Sequence, residues 1–374
     1  MNPLKATGVP AKSGVNKTII DFLDKAVEKK VFDAVIVPMK TPAQDSYSYV
    51  LVKEKSLLKE DGVPLPPTMF IQGAKAVSSI TRRGKPPMKI AAVMRPCEIR
   101  AAIEIAKLGQ IDLENIFLIS MDCPGVLPTS DFLKDPKKHE QLFEEAIQKN
   151  DDSIMRPVCQ ICDKSSMIAG DLHIGTVGTK KGTFLIISNT SKGENVLKEL
   201  GYTLNESIES WQKKVTAISA DKKKKRKKAH AELKSKVSGL KNLVETFSEC
   251  INCHNCMRVC PVCICRLCYF DSDKVKHTAD DYLSRAKSKG SMRFLPDTTL
   301  FQMGRMMHMS ISCVSCGACE DACSMSIPVA QIFSMIADET QSVFDYVSGR
   351  SIDEPIPLVA YEKEELSSVE DAHD

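Results

Sequence analysis

Two stretches of this chain carry cysteines at a spacing that leaves few folds open. Cys250, Cys253, Cys256 and Cys260 form C-x2-C-x2-C-x3-C followed by Pro261, and Cys313, Cys316, Cys319 and Cys323 repeat that spacing. The arrangement suits a cubane iron-sulfur cluster: three thiolates on one tight turn each cap an iron, and the fourth, farther along, usually crosses to a partner cluster. Structural zinc needs only four thiolates per site at looser spacing and does not account for the doubled run. Two 4Fe-4S clusters are therefore expected. Between Cys260 and Cys313 lie 52 residues, too many for the compact β-containing ferredoxin. Helical patterns at Ala279 to Lys287 and Thr298 to Met309 fill the gap, which predicts an all-α, helical ferredoxin architecture.

The remainder reads differently. A length of 374 residues suggests about two domains at roughly 150 residues each. Phe32 to Val37, Lys89 to Val93, Ile116 to Ile119 and Thr183 to Ser188 read as strands, and Asn16 to Lys30 and Glu98 to Leu108 as amphipathic helices. The expectation is an α/β (α+β) domain over residues 1–220, a basic helical linker over 221–242, the helical ferredoxin domain over 243–340 and an acidic tail over 341–374, lying along a partner.

Charge is unevenly placed although its sum is only +3. Asp221 is followed by Lys222 to Lys225, Arg226, Lys227 and Lys228. Such a block is read either as a nucleic-acid patch or as the solvated start of a linker helix. No aromatic residues are interleaved for base stacking, which favours the linker and argues against nucleic acid. There is no apolar signal segment and no apolar run near the roughly 20 residues that span a bilayer, so a cytoplasmic protein without a transmembrane segment is expected. Cysteines at cluster spacing in such a chain are metal ligands rather than disulfides, and imply a reducing, anaerobic setting.

Four cysteines remain in the first domain. Cys97 and Cys123 each follow a predicted strand directly, where open sheets place sites, and Cys159 and Cys162 form C-x2-C. Any one of them suits small hydrophobic packing; four in such settings suggest a third 4Fe-4S cluster. Cys263, Cys265 and Cys268 make an incomplete cubane set. A fourth ligand would have to come from His254, His308 or a partner chain, or these cysteines substitute for a ligand assigned above, or their sulfurs simply pack around the first cluster.

At these residues the sequence resembles a family. Arg95 to Ala101, the L-I-S-M-D-C-P-G segment at Leu118 to Gly125, R-P-V-C-Q-I-C-D at Arg156 to Asp163 and D-L-H-I-G-T-V-G at Asp171 to Gly178 look like the beta subunit of coenzyme F(420)-reducing hydrogenases and formate dehydrogenases. The resemblance covers roughly residues 5–215. It implies a domain that binds FAD and one 4Fe-4S cluster, with Cys97, Cys123, Cys159 and Cys162 as ligands, and hydride exchange between FAD and coenzyme F(420) as substrate. The cysteine runs resemble the helical ferredoxin modules of heterodisulfide reductase and succinate dehydrogenase iron-sulfur subunits, except that Ser324 stands where proline usually follows the fourth cysteine.

Flavin signals are weaker. No G-x-G-x-x-G follows the first strand. Gly175 and Gly178, with Gly182, Lys180 and Lys181, form a loop that suits a diphosphate cradle and equally a plain β-turn. Arg82, Arg83 and Lys85 form a basic loop that matches the phosphate and acidic tail of a deazaflavin, or is a solvated turn. Taken together, the chain reads as an oxidoreductase subunit that passes electrons between coenzyme F(420), FAD and three or four 4Fe-4S clusters. The implied partners are the catalytic subunit of a formate dehydrogenase or hydrogenase, or heterodisulfide-reductase-like subunits. Rival readings are the same module serving NAD(P)H or a bifurcating complex, and a flavin-free iron-sulfur adaptor. Single-electron transport requires no acid-base residue, and no catalytic residue is nominated.

Overall fold

The computed structural model describes residues 4–11, 14–265, 268–275, 277–290, 297–357 and 359. The first part runs β1 (Lys5–Pro10), α1 (Gly14–Glu28), β2 (Ala34–Lys40), β3 (Tyr47–Val52), α2 (Lys55–Asp61), α3 (Gly73–Thr81), β4 (Ile90–Val93) and α4 (Pro96–Lys107). It continues with β5 (Ile116–Met121), α5 (Thr129–Phe132), α6 (Pro136–Lys149), α7 (Pro157–Gln160), β6 (Leu172–Gly175), β7 (Thr183–Ser188) and α8 (Ser191–Glu199). Helices follow alone: α9 (Glu209–Val237), α10 (Leu240–Thr246), α11 (Asn255–Arg258), α12 (Ala279–Lys289), α13 (Asp297–Met309), α14 (Ala318–Asp321) and α15 (Val329–Val343). The expected mixture of a sheet-containing part and a helical part is present.

The seven strands form one sheet in the order β1-β7-β6-β5-β4-β2-β3. Its centre, β2, β4, β5 and β6, is parallel, while β3 and β7 run antiparallel to their neighbours. A parallel centre is covered on both faces, so its strands are apolar throughout rather than alternating. Period-2 geometry still divides them. Ala34, Ile36, Ile90, Ala92, Ile116 and Leu118 face α3, α4 and the helical part. Val35, Val37, Ala91, Val93, Phe117 and Ile119 face α1 and α8.

The helical part is built onto the sheet rather than hung beside it. Val237, Phe247, Met257, Phe301, Val314, Ile332 and Phe333 belong to the same apolar core as α3 and α4. The expected boundary near residue 220 falls inside α9, which is unbroken from Glu209 to Val237. Its charged residues at every fourth position face the rest of the protein: Lys222 pairs with Asp152 and Arg226 and His230 with Asp338, and the stripe ends at the exposed pair of Lys234 with Glu339. The lysine run is thus divided by helical period, one stripe binding the protein and the rest solvated. Part of the stretch expected as an acidic tail is also packed. Tyr346 and Ser348 are buried, and Arg100 of α4 donates to the Ser348 carbonyl at 2.9 Å. Residues 358 and 360–374 of that stretch lie outside the described residues. No helix among the described residues is long and apolar enough to cross a membrane.

Candidate metal centres

The carboxyl ends of β4 and β5 open at the same edge of the sheet because the strands are parallel. From β4 the chain passes through Arg95, the N-cap of α4, and Pro96 in its first turn. The buried Glu98 carboxylate fixes this start by accepting from the amides of Arg95 at 2.9 Å and Gly73 at 2.7 Å and from the Tyr49 hydroxyl at 2.8 Å. Cys97 is held in that turn. From β5 the chain passes through Asp122, whose carboxylate meets His173 Nε2 at 3.0 Å, Trp211 Nε1 at 3.0 Å and the amides of Thr176 and Val177 at 2.6 and 3.0 Å. Ser120 completes a Ser-His-Asp chain with His173 at 2.7 Å, but all three are buried; the chain anchors the Cys123 turn. Gly125, at φ +114°, brings its backbone against Cys159, where an added Cβ would lie 3.0 Å from the cysteine Cβ.

The result is one cavity lined by Cys97, Cys123, Cys159 and Cys162 together with Arg95 and Lys164, and closed by Ser315 and Cys316 from the helical part. Burial pushes the Cys159 thiol up to about 12 and raises Cys97 and Cys123 as well. Thiols so placed become thiolates by taking up a metal rather than by titration.

The two cysteine runs share their backbone. Asn252 and His254, at φ 54° and 61°, flank Cys253 as Ser315 and Gly317, at 57° and 83°, flank Cys316. A left-handed residue on each side of the cysteine turns successive backbone amides toward one point and makes an anion-binding concavity. Each turn then enters a single-turn helix, α11 or α14. A second cavity is lined by Cys313, Cys316 and Cys319 with Cys260, the last cysteine of the other run, and by Arg305, Met309 and Phe333. Cys323 does not line it. Beside the first run, Gln302 of α13 donates to Cys250 Sγ at 3.7 Å, and Arg305, three residues on, donates to the Cys256 carbonyl at 3.1 Å.

Buried guanidinium groups mark these cavities. Arg95 Nε, Arg156 Nε and Nη1, and Arg305 Nε are buried without a hydrogen-bond partner. An orphaned buried donor is costly and needs an explanation. Arg95 lines the first cavity, Arg305 lines the second, and Arg156 sits two residues before the Val158 that lines the first. Anionic sulfur groups in the cavities would satisfy Arg95 and Arg305, so these residues fit the clusters that the cysteine spacing implies. Neither Arg156 nor Arg305 stands out in the sequence as such a donor. The only signal for Arg156 was its place beside a C-x2-C, and Arg305 carried none. Among the described residues no three His, Cys, Asp or Glu groups converge on a point suited to a single metal ion.

The remaining candidates are scattered. Burial pushes Cys263 up to about 12; Cys268 Sγ contacts Met257 Sδ at 3.9 Å; Cys265 is exposed. His254, a possible fourth ligand, stacks on Phe301 at 4.2 Å and contacts Asn252 Oδ1 at 3.1 Å; His308 lies in the last turn of α13. Arg82 and Gly84 line an open groove with Ile111, Leu113, Cys265 and Ile352. Arg83 is exposed nearby, and Lys85 pairs with Glu114 at 2.8 Å. This loop precedes β4, so it lies at the edge opposite Cys97. Gly175 and Gly178 end β6 and lie under α9: an added Cβ at Gly175 would stand 2.9 Å from Trp211, and Ser210 Oγ donates to the Gly178 carbonyl at 2.6 Å. Lys180 pairs loosely with Glu206 at 3.5 Å. The two proposed flavin loops therefore stand at opposite edges of the sheet and do not form one site.

Residues 136–203 match the family model that describes the C terminus of the coenzyme F(420) hydrogenase/dehydrogenase beta subunit. The chain is 29% identical over 381 residues to an F(420)-dependent formate dehydrogenase 1 subunit beta of Methanococcus maripaludis, covering 88% of this chain and 89% of that one. It is 27% identical over 302 residues to an F(420)-dependent formate dehydrogenase subunit beta of Methanocaldococcus jannaschii, covering 72% and 75%. A solved F(420)-reducing NiFe hydrogenase complex from Methanosarcina barkeri, a xenon derivative, gives a TM-score of 0.44 at 12% identity, over 63% of this chain and 94% of that chain. The matched region holds Cys159 in α7, Cys162 just after it, and β6, whose His173 meets Asp122, so over residues 136–203 the chain is similar to the C terminus of the coenzyme F(420) hydrogenase/dehydrogenase beta subunit.

Proposed function

We propose that this chain is the electron-transfer subunit of an F(420)-dependent oxidoreductase complex, carrying electrons between coenzyme F(420), FAD and three 4Fe-4S clusters and a partner catalytic subunit of formate dehydrogenase or hydrogenase type. The observation that carries this reading is the convergence of Cys97, Cys123, Cys159 and Cys162 on one buried cavity. FAD would supply the change from two-electron to one-electron chemistry, and the clusters would supply single-electron conduction. The residues' part is to hold, orient and shield. Cys97, Cys123, Cys159 and Cys162 are assigned to one centre, and Cys260, Cys313, Cys316 and Cys319 to a second. Cys250, Cys253 and Cys256 form a third with Cys323, by the exchange of fourth ligands common to paired clusters. Arg95 and Arg305 donate to these centres and exclude water. Arg82, on the open groove, and Arg83 beside it are the remaining candidates for an acidic tail of the hydride carrier, because Lys85 and Lys180 are already paired and Gly175 and Gly178 are covered.

Anaerobic purification with iron, sulfide and flavin analysis tests the reading. It expects about twelve irons, extractable FAD and reduction of the chain by reduced coenzyme F(420). About eight irons would remove the first-domain centre, and about sixteen would promote Cys263, Cys265 and Cys268 to a fourth site. Reduction by NAD(P)H alone would assign another carrier, and absence of flavin would make the chain an iron-sulfur adaptor.

A further inference from the structure

The two cysteine cavities are neighbours. Ser315 and Cys316 line both the first-domain cavity and the one formed by Cys260, Cys313 and Cys319. Contact is close at the next residue, where an added Cβ on Gly317 would stand 2.7 Å from Val158. The second run is also fastened to the first domain and to α9 on several sides. Asp321 accepts from Arg156 and, at 3.0 Å, from the Thr129 amide. Arg100 donates to the Val314 carbonyl at 3.3 Å, and Arg226 to Ser315 Oγ at 3.1 Å. Among the described residues the first run shows one such hydrogen bond, from Lys75 to the Arg258 carbonyl. Its turn faces solvent, with Ile251 62% exposed.

Resting on the ligand sets proposed above, we infer that Cys316 is the junction between the first-domain centre and the ferredoxin part, so that the cysteine run later in the chain is the inner one and the earlier run is the outer one. The order in space reverses the order in sequence. Cys316 is a ligand of one centre and a wall of the other. The outer run is then the end presented to a partner.

The test is electron paramagnetic resonance of the complete, anaerobically loaded chain, partly reduced, with iron and sulfide counted on the same samples. Magnetic interaction between the first-domain centre and one ferredoxin centre is expected. Cys319→Ser should abolish that interaction, and Cys253→Ser should leave it in place. Gly317→Ala keeps every ligand and wedges the junction apart at Val158, so it should weaken the interaction at an unchanged iron count. The reverse pattern in the two serine variants, or unchanged coupling in Gly317→Ala, overturns the order while leaving the ligand sets standing. An iron count well below twelve in the unaltered chain overturns the ligand sets and the order with them.

Discussion

The two C-x2-C-x2-C-x3-C runs have the same spacing, the same pair of left-handed residues and the same short helix, yet they occupy different surroundings. Around Cys316 the neighbours Val314, Gly317 and Ala318 are buried, while around Cys253 Ile251 and Asn252 are exposed. The spacing dictates a turn that can surround a cluster. It does not dictate which turn is enclosed. That is decided by side chains distant in sequence: Arg100, Arg156 and Arg226 all reach the second run, and none of them reaches the first. α13 mediates between the runs, with Arg305 inward and Leu300, Met303 and Met307 exposed on its other side, Met307 by 72%.

The largest difference should appear when an equivalent ion pair is cut at each run. Arg156 and Asp321 are a nearly enclosed pair at the second run, with side chains 3% and 11% exposed. Asp321→Ala strands the guanidinium, a change that typically costs about 3–5 kcal/mol. At the first run, Arg258 and Asp271 are 61% and 45% exposed, and Arg258→Ala should cost about 0–1 kcal/mol. Denaturant unfolding of both variants measures the contrast, and equal losses would erase it.

Next comes a strap over the second run, residues 346–349, whose Ser348 hydroxyl donates to the Cys313 carbonyl at 3.0 Å. Gly349 has φ +69°, and an added Cβ would lie 2.3 Å from the Arg100 carbonyl oxygen. Gly349→Ala should therefore lower stability by about 1–3 kcal/mol through overpacking. Gly290→Ala, at φ +70° but in open space, isolates the backbone share of that loss. If the two variants melt together, the strap does not hold the second run.

A smaller effect should be common to both runs. Arg305 is buried, and Phe333 stacks 4.5 Å from its guanidinium carbon. Its positive charge favours the more negative, reduced form of any centre beside it. Arg305→Met should lower the reduction equilibrium of both ferredoxin centres about tenfold, ~59 mV for one electron, with Arg305→Lys in between. A mediated redox titration would show whether only one signal moves, in which case Arg305 belongs to that run alone.

The smallest expected effect is on pH dependence. Burial works to raise the Asp338 carboxyl, but hydrogen bonds from His230 and Arg226 outweigh it and hold the group well below the usual range. A depressed carboxyl contributes its stability fully above the unfolded value of about 4; that contribution fades as pH falls toward the folded value. Asp338 is 37% exposed, so screening should keep the contribution under about 1 kcal/mol. Melting temperature against pH should fall less steeply below pH 4 in Asp338→Asn than in the unaltered chain; parallel curves would discard the pair as an acid-sensitive latch.

What the sequence disclosed follows from how local each signal is. β2, β4, β5 and β7 were legible as apolar or β-branched runs, and α1, α4, α12 and α13 as helical patterns to within two or three residues. β1, with Gly8 and Pro10, and the four-residue β6 were not, because neighbouring strands rather than local propensity make them strands. The boundary placed at residue 220 followed a change in charge, whereas α9 continues through it because the charges divide by face. Cysteine spacing gave the two turns, and the crossing of Cys260 was legible as a rule. The wall made by Ser315 and Cys316, and the roles of Arg156 and Arg305, depend on contacts between residues far apart in the chain and leave no local trace.

That wall also has a place in time. A ribosome makes Cys162 about 150 residues before Ser315 and Cys316, an interval of roughly 8–30 s at 5–20 residues per second. During synthesis the first-domain cavity therefore has all four of its own thiols but lacks one side. Tyr346, Ser348 and Gly349, which dock on α4, emerge later still. Delivery of iron and sulfide to Cys97, Cys123, Cys159 and Cys162 would be easiest on the nascent chain. Once translation is complete, Ser315 and Cys316 cover that side and Gly317 rests against Val158.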